Sequence, residues 1–302
     1  MSKFLYTRDH EGFARLTEET HRNRWVAVHI SLVRDCEGVR ELNPRDLEFY
    51  KFLFTFLAMA EKLVNFNIDE LLPQFCSHDI EHYYTEQKAM ENIHGETYAN
   101  ILNMLFDGDK KAVAQYADEV IADKALQAKI CWLNGMVNSA VTKAEKILIF
   151  LLIEGIFFIS SFYSIAVLRT RGIMPGICLA NNYISRDELL HTTAATLLYN
   201  SMTSKSERPQ SEWIEALFRR AVDVEYNFIE ARGRGVTNID LKGIRDFLEA
   251  TADRILGDLG MTAIYDTRPP PDCPLTYMTS VKHTNFFEQE NSEYTMVVTN
   301  DL

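Results

Sequence analysis

Two short patterns, Glu91-Asn-Ile-His94 and Glu188-Leu-Leu-His191, set a carboxylate and an imidazole three positions apart. On an α-helix, such residues lie about 60° apart on one face, so each pair can aim two donors at one cation. Two further acids stand in apolar surroundings. Glu61 lies thirty residues before Glu91, and Glu154 is the single charge between Ile147 and Leu168, thirty-four residues before Glu188. A carboxylate buried alone is costly, so each needs a cation or a proton. Four acids and two imidazoles around two metal ions would satisfy all six groups together. One Glu-x-x-His would carry little weight, and a third copy, Glu18-Glu-Thr-His21, sits in a polar segment and reads as a solvated helix turn. The other two, each preceded by an isolated acid at a similar distance, point to a carboxylate-bridged dimetal site. Tyr98 follows Glu91 by seven positions, about 20° off the same face and two turns along. Beside metals that activate oxygen its phenol is a one-electron donor, although most core tyrosines are simply packed with a satisfied hydroxyl. Phe158 and Phe162, four and eight positions after Glu154, and Ile184, four before Glu188, would face the same space and keep it dry.

These side chains need long helices to carry them. Asn43-Pro44 reads as an N-cap followed by proline at the first helical position, with apolar density continuing to Val64. A second long helix is expected from Gln74 to Phe106, between Pro73 and Asp107-Gly108. Shorter helical patterns cover Ala112–Ile121 and Ala125–Val141, and one continuous apolar helix is expected over Lys146–Arg169. Pro175-Gly176 opens another reaching Asn200, and amphipathic helices follow at Glu212–Arg232 and Leu241–Leu259. No sustained apolar/polar alternation signals a strand. Residues 1–42 are mixed and polar, with Trp25, Val28 and Ile30 as apolar anchors. The expected fold class is all-α, a ferritin-like helical bundle with extra helices and a flexible C-terminal tail. The bundle would occupy residues 1–265. The stretch DTRPPPDCP cannot be helical, and 266–302 reads as a loosely held tail that orders on a partner.

Bulk properties narrow the function. A chain of 302 residues with 47% apolar content can bury one large core. Its net charge of -12 argues against nucleic-acid binding, because a phosphate backbone would repel it. Five scattered cysteines, with no Cys-x-x-Cys pair, suit reduced thiols in the cytoplasm. The N-terminal MSKFLYTRDHEGF lacks the apolar centre of a signal peptide. Ile147–Leu168, 22 residues with one charge, has the hydropathy of a membrane span. Glu154 near its middle would be expensive in lipid, and a fully buried bundle helix reads the same way. A membrane-anchored interaction protein is the non-enzymatic alternative.

At longer range the residues become specific. AMENIHGETY (89–98) resembles the metal-and-radical helix of class I ribonucleotide reductase small subunits. IEGIFFISSF (153–162) and NNYISRDELLH (181–191) resemble the second metal-binding half of that family, and the similarity runs from about Trp25 to the C-terminus. The last nine residues, YTMVVTNDL, look like the docking tail of herpesvirus-type small subunits, and the absence of a long N-terminal extension fits the gammaherpesvirus branch.

The resemblance implies roles position by position. Glu61, Glu91 and His94 would hold one iron and Glu154, Glu188 and His191 the other, with Glu91 and Glu188 bridging. Tyr98 would carry a stable radical inside an apolar pocket of Phe158, Phe162 and Ile184. Trp25 matches the tryptophan of the long-range electron path, and Asp187 the acid linking it to His94. Tyr294, within HTNFFEQENSEY (283–294), would relay the radical to the large subunit that the tail docks. The family also implies a homodimer that reduces ribonucleotides only with the large subunit, in the host-cell cytoplasm if the protein is viral. Carboxylate-rich sites suit manganese as well as iron. The family usually has aspartate where this chain has Glu61, which leaves the coordination mode there open. A ferritin-like oxidase would share the six ligands but need neither Tyr98, Trp25 nor the tail.

Overall fold

The computed structural model describes residues 5–275, and among these it contains eleven α-helices and no strand. They are α1 (Glu11–Arg22), α2 (Asp35–Glu41), α3 (Pro44–Leu71), α4 (His78–Leu105), α5 (Lys110–Ile121), α6 (Lys124–Ser139), α7 (Lys143–Gly155), α8 (Ile159–Thr170), α9 (Pro175–Met202), α10 (Ser211–Gly233) and α11 (Leu241–Asp258). Helix α3 packs along α4 and α7 along α9, and cross-contacts of α3 with α7 and α4 with α9 close a four-helix centre. Helix α1 lies across α4 and α9, while α10 and α11 cover α8.

Local chemistry starts the central helices where the site needs them. Asn43 accepts from the amides of Arg45 and Asp46 with Pro44 at the first turn, and Ser77 caps α4 through the Ile80 amide. Thr142 and Glu145 form a reciprocal capping box on α7. Helix α9 is capped from a distance instead. Met174 before it is left-handed (φ 55°), and the buried Asp35 of α2 accepts from the amides of Gly176 (3.0 Å) and Ile177 (2.7 Å). The chain comes so close here that a Cβ on Gly176 would collide with the Ser31 carbonyl.

The apolar stretch expected as one helix is two. Helix α7 ends one residue after Glu154, where the amides of Ile156 and Phe157 both turn back to the Leu152 carbonyl, and α8 starts at Ile159. The freed Phe157 carbonyl accepts from Lys129 Nζ of α6 at 2.7 Å. Lys129 also pairs with Glu225 of α10 at 2.5 Å, and Glu225 accepts from Ser160 just past the break. All this is buried, with the ammonium against the rings of Phe56, Phe157 and Phe228. A backbone group released in a dry interior must find a partner, and this pair supplies one. Lys129→Met should therefore cost about 3–5 kcal/mol in urea unfolding by stranding the Glu225 carboxylate, and adding Glu225→Leu should recover much of it. Equal losses in the single and double variants would show that the pair is not what holds the break.

Every residue from Ile147 to Leu168 is buried inside the bundle, although the stretch has the length and hydropathy of a membrane span. Its apolar character is accounted for by protein contacts on all sides.

Other boundaries shift. Residues 1–42 contain two helices that sequence reading passed over. In that segment Trp25 is buried, Ile30 half-buried and Val28 83% exposed, so Val28 is not an anchor. Ordered packing also runs past Asp266. Asp253 accepts from the amides of Ile264, Tyr265 and Asp266, Thr267 donates to Glu249, and Cys273 and Leu275 are buried. Two buried apolar side chains hold the beginning of the stretch expected to be loose, whatever its proline content. Tyr294 and the docking segment lie outside the described residues.

Candidate metal centre

Four central helices each contribute to one buried cluster. Helix α3 brings Glu61, α4 brings Glu91 and His94, α7 brings Glu154, and α9 brings Glu188 and His191. None of the six is more than 4% exposed. They form two overlapping sets, Glu61/Glu91/His94/Glu188 and Glu91/Glu154/Glu188/His191, each with donor atoms within 4.8 Å of one another. Glu91 and Glu188 belong to both.

The contacts follow that division. His94 Nδ1 lies 3.0 Å from Glu91 Oε2, 3.3 Å from Glu188 Oε1 and 3.9 Å from Glu61 Oε2. His191 Nδ1 lies 3.0 Å from Glu91 Oε1, 3.4 Å from Glu188 Oε2 and 3.7 Å from Glu154 Oε2. The Glu61 carboxylate thus reaches the cluster.

The donor set fits divalent metal. Glu61 Oε2, Glu91 Oε2, Glu154 Oε2 and His94 Nδ1 are buried without a hydrogen bond, even though His94 and Glu91 are close enough for an ion pair. Unpaired inward atoms of this kind are rare in a native core. Burial, and repulsion from Glu91 and Glu188, push the carboxyls of Glu61 and Glu154 well above their usual range. Burial also opposes ionisation of Glu91, but the two imidazoles outweigh it and hold that carboxyl below the ordinary value. Burial works against protonating His94 and His191, yet the surrounding acids raise both. Four carboxylates and two neutral imidazoles would balance two divalent cations in charge, removing the conflict.

A conduit leads from the cluster toward α1. Trp25 Nε1 donates to Asp187 Oδ2 at 2.7 Å, and His94 Nε2 meets the same oxygen at 3.3 Å. The indole and the His94 ring stack with centroids 5.9 Å apart and planes within 20°. Arg186, adjacent to Asp187 in sequence, pairs with its other oxygen and donates to the Asn23 carbonyl at 2.7 Å, tying down the segment that carries Trp25.

Tyr98 is 2% exposed. Burial raises its phenol well above the normal range, and among the acids the charge of Glu61 acts on it most strongly, so it lies within the electrostatic reach of the cluster. Its ring neighbour is Phe54 of α3, at 6.2 Å between centroids, a residue the sequence did not single out. Phe158, Phe162 and Ile184 are all buried, with the first two in ring contact at 6.2 Å. Phe158 falls on the break between α7 and α8, so counting along one continuous helix does not describe its direction. Glu18 and His21, of the third motif, are half-exposed on α1 and take no part.

Gln87 was also overlooked. It is fully buried one turn before Glu91, and its amide donates to Glu91 Oε1 at 3.2 Å and Glu154 Oε1 at 3.1 Å. The four-residue spacing was the available signal. Supporting partners of this kind are worth about 10–100-fold in metal affinity, so Gln87→Leu should weaken the ion on the Glu154 side by that factor in a chelator titration. Unchanged affinity would reduce Gln87 to packing.

Comparison with known proteins gives this geometry a family. The sequence profile of "Ribonucleotide reductase, small chain" matches residues 3–274. The chain belongs to that family. The ribonucleoside-diphosphate reductase small subunit of Epstein-Barr virus (strain B95-8) is 74% identical over 302 residues, covering all of both chains. That of equine herpesvirus 2 is 61% identical over 302 residues, covering 100% of this chain and 99% of the relative. The ribonucleotide reductase Rnr4 homodimer from Saccharomyces cerevisiae has the same fold, with TM-score 0.79 at 23% identity over 96% of this chain and 89% of that one. The dimanganese(II)-NrdF of Streptococcus sanguinis matches with TM-score 0.78 at 18% identity, covering 91% and 100%. The chain is thus a small subunit of herpesvirus type, with the ferritin-like bundle of its family and a buried carboxylate/histidine cluster at the centre.

Proposed function

We propose that this small subunit holds two ions, iron or manganese, generates a radical on Tyr98, and passes it to the large subunit for reduction of ribonucleotides. The observation that carries the reading is the pair of donor sets sharing Glu91 and Glu188, close to Tyr98 and joined through His94 and Asp187 to Trp25. Glu61, Glu91 and His94 hold one ion, and Glu154, Glu188 and His191 the other. When bound and reacted with oxygen, the metal pair supplies the oxidising power that takes one electron from the phenol.

The protein's own groups do the rest. Burial favours the protonated Tyr98 phenol, and loss of an electron would make that phenol strongly acidic, so electron and proton would leave together, with Glu61 the cluster acid whose charge acts most strongly on it. Phe54, Phe158, Phe162 and Ile184 exclude water from the region. Oxidation of the Trp25 indole makes its N–H acidic, and Asp187 Oδ2 at 2.7 Å accepts that proton. Sharing of that oxygen with His94 Nε2 couples the indole to the metal ligands. Tyr294 continues the path, and the C-terminal nine residues dock the large subunit. The unit works as a homodimer in the cytoplasm, the host-cell cytoplasm for a viral protein, with neither membrane nor nucleic acid as partner. A ferritin-like oxidase would have no use for the Trp25–Asp187–His94 connection, which favours the reductase reading.

Deleting residues 294–302 tests both halves of the proposal. The truncated chain should bind metal and form its radical normally but support no nucleotide reduction with the large subunit. Full turnover by the truncated chain would refute the docking role, and loss of its radical would refute the independence of the two steps.

A further inference from the structure

A groove of about 690 Å³ runs between α3, α4 and α5 down to two of the buried acids. Glu61 and Glu91 lie at its buried floor, while Lys62, Glu96, Asn100 and Lys110 line its exposed rim. The other four ligands do not line it. A second groove, about 340 Å³ and bordered by Phe66, Val137 and Ile149, touches no ligand.

Small side chains keep the passage open. Ala58, Gly95 and Ala99 line it, and a Cβ built on Gly95 would find only the Cβ of Glu61, 4.0 Å away. Gly95 sits in the middle of α4 immediately after His94, and its φ is not positive. Glycine weakens a helix interior relative to alanine, and no turn or close backbone approach demands it here. The vacancy at position 95 therefore has its effect on the space beside Glu61.

The lining also suits hydrated divalent ions. Amide and carboxylate oxygens of Asn65, Asn92, Asn103 and Glu96 can replace waters of a hard cation in steps. Lys62 and Lys110 oppose a cation at the rim and Glu96 offsets them only in part, so what draws a divalent ion inward is the ligand set at the floor. Glu61 Oε2 accepts no hydrogen bond, which leaves that oxygen available to a metal ion.

We propose that this groove is the route by which divalent metal ions reach the dimetal cluster, with Glu61 the first ligand met and Gly95 the residue that keeps the way clear. The proposal rests on the metal-site reading above. It concerns the rate of loading and leaves the final coordination as described.

The test is anaerobic uptake of Mn(II) by the full-length, metal-free protein, followed by loss of the free aqueous Mn(II) resonance after rapid mixing. Gly95→Leu fills the passage from within, and Ala99→Phe covers it from the exposed side one turn along. Both should slow uptake by about tenfold, because the ion must then await a local opening. The amount bound at equilibrium should match the parent protein, and the melting temperature should not fall. Uptake at the parent rate in both variants would overturn the route, including the case in which a second subunit covers the groove. So would normal Mn(II) uptake followed by a slowed reaction with oxygen, which would make the groove a gas channel. Reduced final binding with an unchanged rate would place the effect on the cluster itself and likewise overturn it. A parent protein that takes up no Mn(II) or Fe(II) at all would defeat the metal-site reading, and the route with it.

Discussion

Tyr98→Phe protein, loaded anaerobically with Fe(II) and exposed to oxygen, is expected to show no tyrosyl signal in low-temperature electron paramagnetic resonance and no nucleotide reduction. Its metal content should equal that of the parent. The change removes one hydroxyl from a ring that is 2% exposed and keeps the packing against Phe54, so fold and ligands have little reason to move. What disappears is the only part of that side chain able to give up an electron with a proton. Two other buried tyrosines, Tyr83 and Tyr84, lie on the same helix, and burial raises the phenols of both above their usual range. The prediction therefore discriminates, because a signal that persists in this variant would put the radical on one of them. Loss of both metal and signal would mean instead that the phenol supports the cluster, and the radical assignment would lose its basis.

Trp25→Phe is expected to have the second largest effect. It removes the N–H that donates to Asp187 Oδ2 at 2.7 Å and leaves a buried carboxylate with His94 and Arg186 as its remaining partners. A phenyl ring preserves much of the stacking on His94 but is a far poorer electron donor. Nucleotide reduction with the large subunit should fall by at least about a hundredfold, the lower range for losing a positioned proton-transfer partner. Metal stoichiometry should be unchanged. Asp187→Asn, which keeps the shape but cannot take the indole proton, should produce a similar fall. Near-normal turnover in both would leave Trp25 as a structural anchor between α1 and α9. Normal turnover in the Asn variant alone would separate electron transfer from proton transfer at this point.

Both predictions concern residues whose chemistry could be read along the chain, but only where a helix is regular. Glu91, His94 and Tyr98 share one uninterrupted helix, as do Glu188 and His191, so turn arithmetic could describe their faces, whereas Asp187 came from the family resemblance alone. The arithmetic failed between Glu154 and Phe162, because helix α7 stops at Gly155. Within the run of isoleucine, leucine and phenylalanine only Gly155 marks that break. Lys129, which meets the carbonyl freed there, and Glu225, which pairs with Lys129, lie 28 and 68 residues from Phe157 in sequence and come together only after folding. The same limit hid Gln87, whose importance comes from Glu154 approaching on another helix. Helices α1 and α2 escaped notice because each buries only a narrow stripe, with polar residues on the remaining surface.

Periodicity and isolated buried charges, both local properties of the chain, determined the all-helical class, the six carboxylate and imidazole groups of the buried cluster and the candidate tyrosine. Tertiary packing alone decided how α7 and α8 divide, which carboxylates serve both donor sets, how Trp25 reaches His94 through a single oxygen of Asp187, and where a groove opens beside Glu61. The reason is the range of the forces. Hydrogen bonding and helix amphipathicity act over a few residues, whereas satisfying a buried carbonyl or a cluster of four acids requires groups that the chain brings together from scores of positions away.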